Sequence, residues 1–134
     1  MDGVRGKLKE LEDNLDALQR FEQYEASDLQ QDRRLRWALR YGFLESIQRV
    51  IDVARAVVSL KSLGYPKSYD ACIRMLRDAD LLPEALATNL VKAVGLRNIL
   101  VHDCLEVDDG ELLRSLDQLD DLRTFVSHMA PHLA

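Results

Sequence analysis

From Val4 through Leu8, Leu11, Leu15 and Leu18, apolar residues recur at steps of three and four, with Lys7, Lys9, Glu10, Glu12 and Asp13 elsewhere. That period is one face of a helix, and it predicts a first helix over about 4–26. Ser27 or Asp28 is then placed to supply the side-chain oxygen that caps a second helix. Trp37, Tyr41, Leu44, Ile47, Ile51, Ala54 and Val58 follow at steps of four and three, close to a heptad seam, and predict a long helix over about 29–62 that ends by Gly64. A helix of that length packs its own bundle on one stripe and leaves Ala56, Val57 and Leu60 for another surface, with a second subunit as one candidate.

Pro66 stops any continuation, and Ser68 is the expected N-cap of a third helix, 68–79, carrying Ala71, Cys72, Met75 and Leu76. Pro83 suits the first turn of a fourth helix, 83–102, because its missing N–H is not needed there. Leu86, Leu90, Val94 and Val101 mark the buried stripe of that helix. Past the acidic turn at Asp108, Asp109 and Gly110, the positions Leu112, Leu116, Leu119, Leu122 and Val126 outline a fifth, 110–129, fading near Pro131. Strand alternation is absent. The expectation is an all-α, antiparallel bundle of about five helices with short connections, forming a single domain over 1–134.

Composition agrees with that picture: 134 residues, 47% hydrophobic and 31% charged, with only 6 Gly and 3 Pro. A net charge of -5 argues against a general nucleic-acid coat protein, although a local basic site is allowed. One such patch is Arg33, Arg34, Arg36 and Arg40, interleaved with Trp37 and Tyr41, which would suit steering of RNA. The competing account is a charged face paired with Asp28, Asp32 or Glu45 while the aromatics enter the core. Cys72 and Cys104 form no CxxC pair, and no Cys/His cluster or ExxH pair has metal-ligand spacing, so no cofactor or metal is expected. The start of the chain lacks an apolar leader and no run reaches the roughly 20 residues of a bilayer span, which places the protein in the cytoplasm away from membranes. Asp117, Asp120 and Asp121 read as a solvated helix face, His128 and His132 as residues of a fraying end, and Tyr65 and Tyr69 as packing residues beside a turn.

One stretch reads as chemistry: Gly95-Leu96-Arg97-Asn98-Ile99-Leu100-Val101-His102-Asp103-Cys104. It joins a permanent cation, whose fork of donors matches phosphate oxygens, to an imidazole that exchanges protons near neutral pH. These are the needs of metal-free RNA cleavage. The 2′-hydroxyl must lose a proton to attack the adjacent phosphate, the leaving 5′-oxygen must gain one, and the added negative charge needs donors. Five steps along an ideal helix separate Arg97 and His102 by about 140° and roughly 7.5 Å of rise. A shared site therefore requires the helix to end or bend near His102, the Arg97 side chain to sweep round, or a second subunit to complete the pocket. The structural alternative pairs Arg97 with Asp103 or another acid and leaves His102 as a favourable cation at a helix C-terminus.

The run Leu96 to His102, preceded by Leu82-Pro83-Glu84 and followed by Glu106-Val107, resembles the HepT-like toxins of the HEPN superfamily. The pattern of that family is Arg, four residues, His, any residue, Tyr, with a polar residue commonly after the Arg. Arg97, Asn98 and His102 match. The similarity covers about residues 30–126, including the Gly64-Tyr65-Pro66 turn. It implies an all-helical homodimer acting as a metal-independent endoribonuclease, with catalytic Arg97 and His102 at a dimer cleft and Asn98 and Asp103 in support. It also implies a partner, a minimal nucleotidyltransferase antitoxin that silences the toxin by moving AMP from ATP onto the motif Tyr. Here the chain departs from the pattern, because position 104 is Cys and the phenolic acceptor is absent.

Two functions follow as rivals. The first is an RNase toxin with His102 as general acid or base and Arg97 stabilising the transition state. The second is a non-catalytic helical dimer that docks a nucleotidyltransferase and leaves RNA untouched.

Overall fold

The computed structural model describes residues 2–103 and 107–133. Its described part is all-α. The α-helices are α1 (Asp2–Gln19), α2 (Ala26–Gln31), α3 (Arg33–Leu60), α4 (Tyr69–Asp78), α5 (Glu84–His102), α6 (Asp109–Arg114) and α7 (Leu119–Met129), with short 3-10 turns at Arg20–Gln23, Ser115–Gln118 and Ala130–His132.

Three of the expected helices are thus interrupted. The first ends at Gln19 rather than near 26, and Tyr24 is extended. The second is broken at Asp32, whose carboxylate accepts the backbone N–H of Arg34 at 2.9 Å and of Leu35 at 3.4 Å and so caps α3. Neither Ser27 nor Asp28 caps it; Asp28 lies inside α2 and accepts the Glu25 backbone N–H at 2.8 Å. The fifth is divided at Ser115, whose hydroxyl donates back to the Glu111 carbonyl at 2.9 Å, a bond that bends helices. Ser68 caps α4 as expected, accepting the Ala71 N–H at 3.2 Å.

The long α3 is the element on which the others pack, with α1, α4, α5 and α7 all against it. Lys7 meets Asp52, Glu10 meets Arg49 and Asn14 meets Glu45, so position rises on α1 as it falls on α3 and the two are antiparallel. At Gly42 the helices come so close that a Cβ would sit 2.7 Å from Leu18 Cδ2. Arg5 bonds the Leu133 carbonyl while Arg123 bonds Asp16, which makes α7 antiparallel to α1 as well.

The inward face of α3 runs through Leu39, Phe43, Ile47, Val50, Ala54 and Val57, all buried. From Ile47 onward this overlaps the expected seam. Before it, the seam is wrong: Trp37 is 58% exposed and Tyr41 62% exposed, because Leu39 and Phe43 continue the buried stripe and only one of the two lines can face the bundle. Val57, expected on an outer surface, is core, whereas Leu60 is exposed. In α5 the stripe closes with Leu100 rather than Val101, which is 44% exposed. Each fully buried Leu or Phe in this core contributes on the order of 1.5–3 kcal/mol.

The Arg33 to Arg40 patch also resolves. Arg40 Nη2 donates to the Val107 carbonyl at 3.0 Å and to Asp109 at 3.3 Å, fastening the start of α6 to α3, and Arg33 lies over the Trp37 ring at 5.7 Å. Among the described residues no salt bridge joins these arginines to Asp28, Asp32 or Glu45, and the aromatics are outside the core. No helix among the described residues is long and apolar enough to cross a membrane.

Candidate functional site

Helix α5 keeps α-helical conformation up to His102 and ends there, with Asp103 turning out at φ -140° and ψ 48° and donating its N–H to the Ile99 carbonyl at 2.7 Å. The helix neither bends nor unwinds between Arg97 and His102. Their divergence of about 140° on an ideal helix therefore stands.

Arg97 is half-buried at the rim where α5 meets α3 and α4. Its Nε donates to Gln48 Oε1 of α3 at 3.1 Å, its Nη1 to the Asn98 side-chain oxygen at 3.2 Å, and its guanidinium lies over the Tyr69 ring of α4 at 4.9 Å. The contact with Tyr69 is a cation–π interaction of about 0.5–2 kcal/mol. Among the described residues no carboxylate is within ion-pair distance of it. The structural alternative of an Arg97 pair with Asp103 does not occur.

His102 and Asp103 are exposed at the end of the helix, without a side-chain hydrogen bond among the described residues. Asn98 is also exposed. Measured from Arg97, the residues Val101, Asn98, His102, Gly95 and Ile99 fall at about 40°, 100°, 140°, 160° and 200° around the helix. All five are exposed, Ile99 at 46%, so they form one continuous outward face with Arg97 on its edge. Gly95 in its middle carries no side chain, and a Cβ there would meet nothing within 4 Å. Of the residues singled out in the sequence, Arg97 and Asn98 are joined directly, and His102 shares their helix face but is not brought to the guanidinium. Cys104, which stands where the family pattern has its Tyr, lies outside the described residues.

Sequence reasoning passed over Gln48 altogether and assigned Tyr69 to packing alone. The Gln48 side chain is itself oriented, its Nε2 donating to Asp52 Oδ1 at 3.0 Å, while Asp52 Oδ2 holds Arg49 at 2.9 Å and Lys7 at 3.6 Å. The only trace in sequence is the four-residue spacing of Gln48 and Asp52, which puts them on one helix face.

A cleft of about 730 Å³ opens beside this arrangement, between the end of α3, the loop from Ser62 to Ser68 and the start of α4, with Tyr69 in its wall. Cys72 forms part of the same wall; burial pushes its thiol pKa up from the ordinary value, and nearby Arg55 pulls it the other way. Among the described residues no group of three or more His, Cys, Asp or Glu is placed to hold a metal ion.

The chain is similar to known proteins over most of its length. Residues 11–129 match the family described as Ribonuclease HepT-like. The mRNA nuclease HepT of Shewanella oneidensis is 29% identical over 103 residues, covering 76% of this chain and 77% of that one. A putative RNase of Archaeoglobus fulgidus is 35% identical over 83 residues, 61% of each chain. The structure of a tri-AMPylated Shewanella oneidensis HEPN toxin in complex with its MNT antitoxin superposes with a TM-score of 0.88 at 25% identity, over 98% of both chains.

Proposed function

The chain belongs to the Ribonuclease HepT-like family, whose activity is RNA cleavage, and we propose that Arg97 and His102 carry that cleavage in a cleft between two copies of the chain. The observation that carries the assignment is the un-neutralised guanidinium of Arg97, held by Gln48, Asn98 and Tyr69 on the edge of the exposed face that bears His102.

Within one copy the two groups point apart on an unbroken helix, so a single copy supplies a cation at one place and a proton carrier at another. A second copy lying across the Gly95, Asn98, Ile99, Val101 and His102 face covers exposed Ile99 and Val101 and brings a second Arg97 and His102 to the first pair. Gly95 permits close approach. One imidazole then takes the proton of the 2′-hydroxyl as its oxygen attacks the adjacent phosphate, and the other protonates the departing 5′-oxygen. The guanidinium forks stabilise the charge that builds on the phosphoryl oxygens between these steps. Asn98 assists by fixing one Arg97 nitrogen, and Asp103 by carrying the chain away from His102. No step calls on a metal ion.

The partner implied is the cognate of the MNT antitoxin found with the Shewanella oneidensis toxin, a nucleotidyltransferase, giving a toxin–antitoxin pair. Position 104 holds Cys, so AMP transfer to a phenol at that position is not part of the proposal.

The expected outcome is that His102→Ala lowers RNA cleavage by about 100-fold or more, since positioned acid–base catalysis contributes on the order of 10² to 10⁴. Cleavage is followed on gels with purified, folded protein. Undiminished cleavage by the variant would remove the assignment, and intact RNA from wild-type protein that still retains the nucleotidyltransferase would favour the docking module instead.

A further inference from the structure

The cleft next to Tyr69 is lined by Arg55, Ser59, Ser62, Tyr65, Lys67 and Ser68 on its polar side, and no carboxylate stands among its lining residues. In a chain of net charge -5 that is a notable sorting of charge. Arg55 and Lys67 are exposed and have neither ion pair nor hydrogen bond among the described residues. Tyr65, expected to pack beside the turn, is instead 98% exposed, with both faces of its ring open. Gly64 has φ +127°, a conformation other residues rarely adopt, and a Cβ there would stand 3.1 Å from Met75 Cε. Ser62 is held at φ 53° in the same loop.

The cleft adjoins the Arg97 site in two ways. Tyr69 lines the cleft and carries the Arg97 guanidinium over its ring. Along α3, Arg55 follows Gln48 by seven residues, which returns it to nearly the same face about 10.5 Å farther on. Asp52, the carboxylate between them, is already engaged by Gln48, Arg49 and Lys7. Free cations, hydroxyls and an open aromatic ring in sequence are the features of a groove that tracks a single strand, with phosphates on the cations and a base on the ring.

We infer that this cleft seats the nucleotide of the RNA substrate that flanks the scissile phosphate, with Arg55 and Lys67 on its phosphate and the Tyr65 ring stacked on its base. The inference rests on the RNA-cleaving reading above, but it is tested by binding, which does not require cleavage. The probe is a short, fluorescein-labelled, single-stranded 2′-O-methyl RNA, which lacks the attacking hydroxyl, titrated with the full chain and read by anisotropy over a range of salt.

Tyr65→Ala is expected to raise Kd about fivefold or more, the lower end of what one base–aromatic stack contributes, while Tyr65→Phe keeps most of the affinity. Arg55→Ala and Lys67→Ala are each expected to reduce the slope of log K against log salt by about 0.7, the value for one phosphate contact on a single strand. Lys9→Ala, which removes an exposed cation on α1, is the comparison for loss of charge alone. The inference is overturned if the three cleft variants bind as wild type, if Lys9→Ala matches them, or if they release the nucleotidyltransferase and not RNA. Wild-type cleavage with unaltered binding by the cleft variants sinks this inference and leaves the catalytic reading standing. Absence of both binding and cleavage in wild type removes both.

Discussion

Gln48→Ala tests whether the guanidinium of Arg97 acts through its position. In the folded chain a carboxylate, which can only accept, faces the Gln48 amide from the Asp52 side at 3.0 Å, so the NH₂ points to Asp52 and the carbonyl oxygen to Arg97 Nε at 3.1 Å. Alanine removes that acceptor and leaves Arg97 with Asn98 and Tyr69. A hydrogen bond to a charged group contributes about 1.5–3 kcal/mol, and the half-exposed setting calls for the lower end. At about 1.4 kcal/mol per tenfold, kcat/KM should fall roughly tenfold, short of the loss on removing Arg97 itself. The assay is steady-state RNA cleavage by wild type, Gln48→Ala, Arg97→Ala and the double variant, with melting curves to show that each is folded. If Gln48 acts only through Arg97, adding Gln48→Ala to Arg97→Ala changes nothing further. Gln48→Glu retains an acceptor but adds negative charge beside the guanidinium, so it should not restore activity. An equal tenfold loss in both backgrounds, or no loss in either, would refute the reasoning.

Two further outcomes concern stability. Ser46 is fully buried in α3 with no partner for its hydroxyl among the described residues, so Ser46→Ala should be neutral or stabilising by up to about 1 kcal/mol in urea unfolding, and a loss beyond that would show a hidden partner. The Asp70 carboxyl is held below its ordinary value of 3.8, first by the Ser68 hydroxyl and then by Arg74. A depressed pKa stabilises the fold above the unfolded value, and that contribution is lost as pH falls through the folded one. Asp70→Asn should therefore be less stable than wild type at pH 7, with the gap closing below 3.8; a gap that is constant with pH contradicts this.

The helix that holds Arg97 and His102 was legible because its determinants are local: Pro83 at its start, the Leu86 and Leu90 stripe, and a chemical motif within a few residues. The turn at Gly64 and the Ser68 cap were legible for the same reason. What the sequence did not disclose depends on partners far along the chain. Leu39 and Phe43 compete with Trp37 and Tyr41 for the inward face of α3, and both lines have helical spacing, so periodicity alone cannot rank them. The break at Asp32 lies in a run that otherwise continues as helix. Arg40 is tied to Asp109, and Arg97 to Gln48, across helices that only the fold brings together. Gln48 in particular is an uncharged residue on a polar face, with nothing in its own neighbourhood to mark it.

Arg97 is held differently from the arginines that pair with acids across this chain. Arg40, Arg49, Arg74, Arg77 and Arg123 each stand against a carboxylate, and Arg40, Arg49 and Arg123 thereby tie separate helices together. Arg97 is held as firmly, but by an amide oxygen, a neighbouring Asn and an aromatic ring, none of which cancels its charge. A carboxylate 4 Å away would be worth about 4 kcal/mol at an effective dielectric constant near 20, and an incoming phosphate would have to displace an interaction as strong as the one it forms. Neutral supports fix the direction of the guanidinium and leave its charge uncancelled. The same logic extends down α3 to Arg55 and across the loop to Lys67, where cations stand free beside hydroxyls and an open ring. A net charge of -5 therefore does not oppose RNA binding here, because the field that a phosphate meets over roughly a Debye length of 8–10 Å is set by the groups around the cleft and not by the sum over the chain.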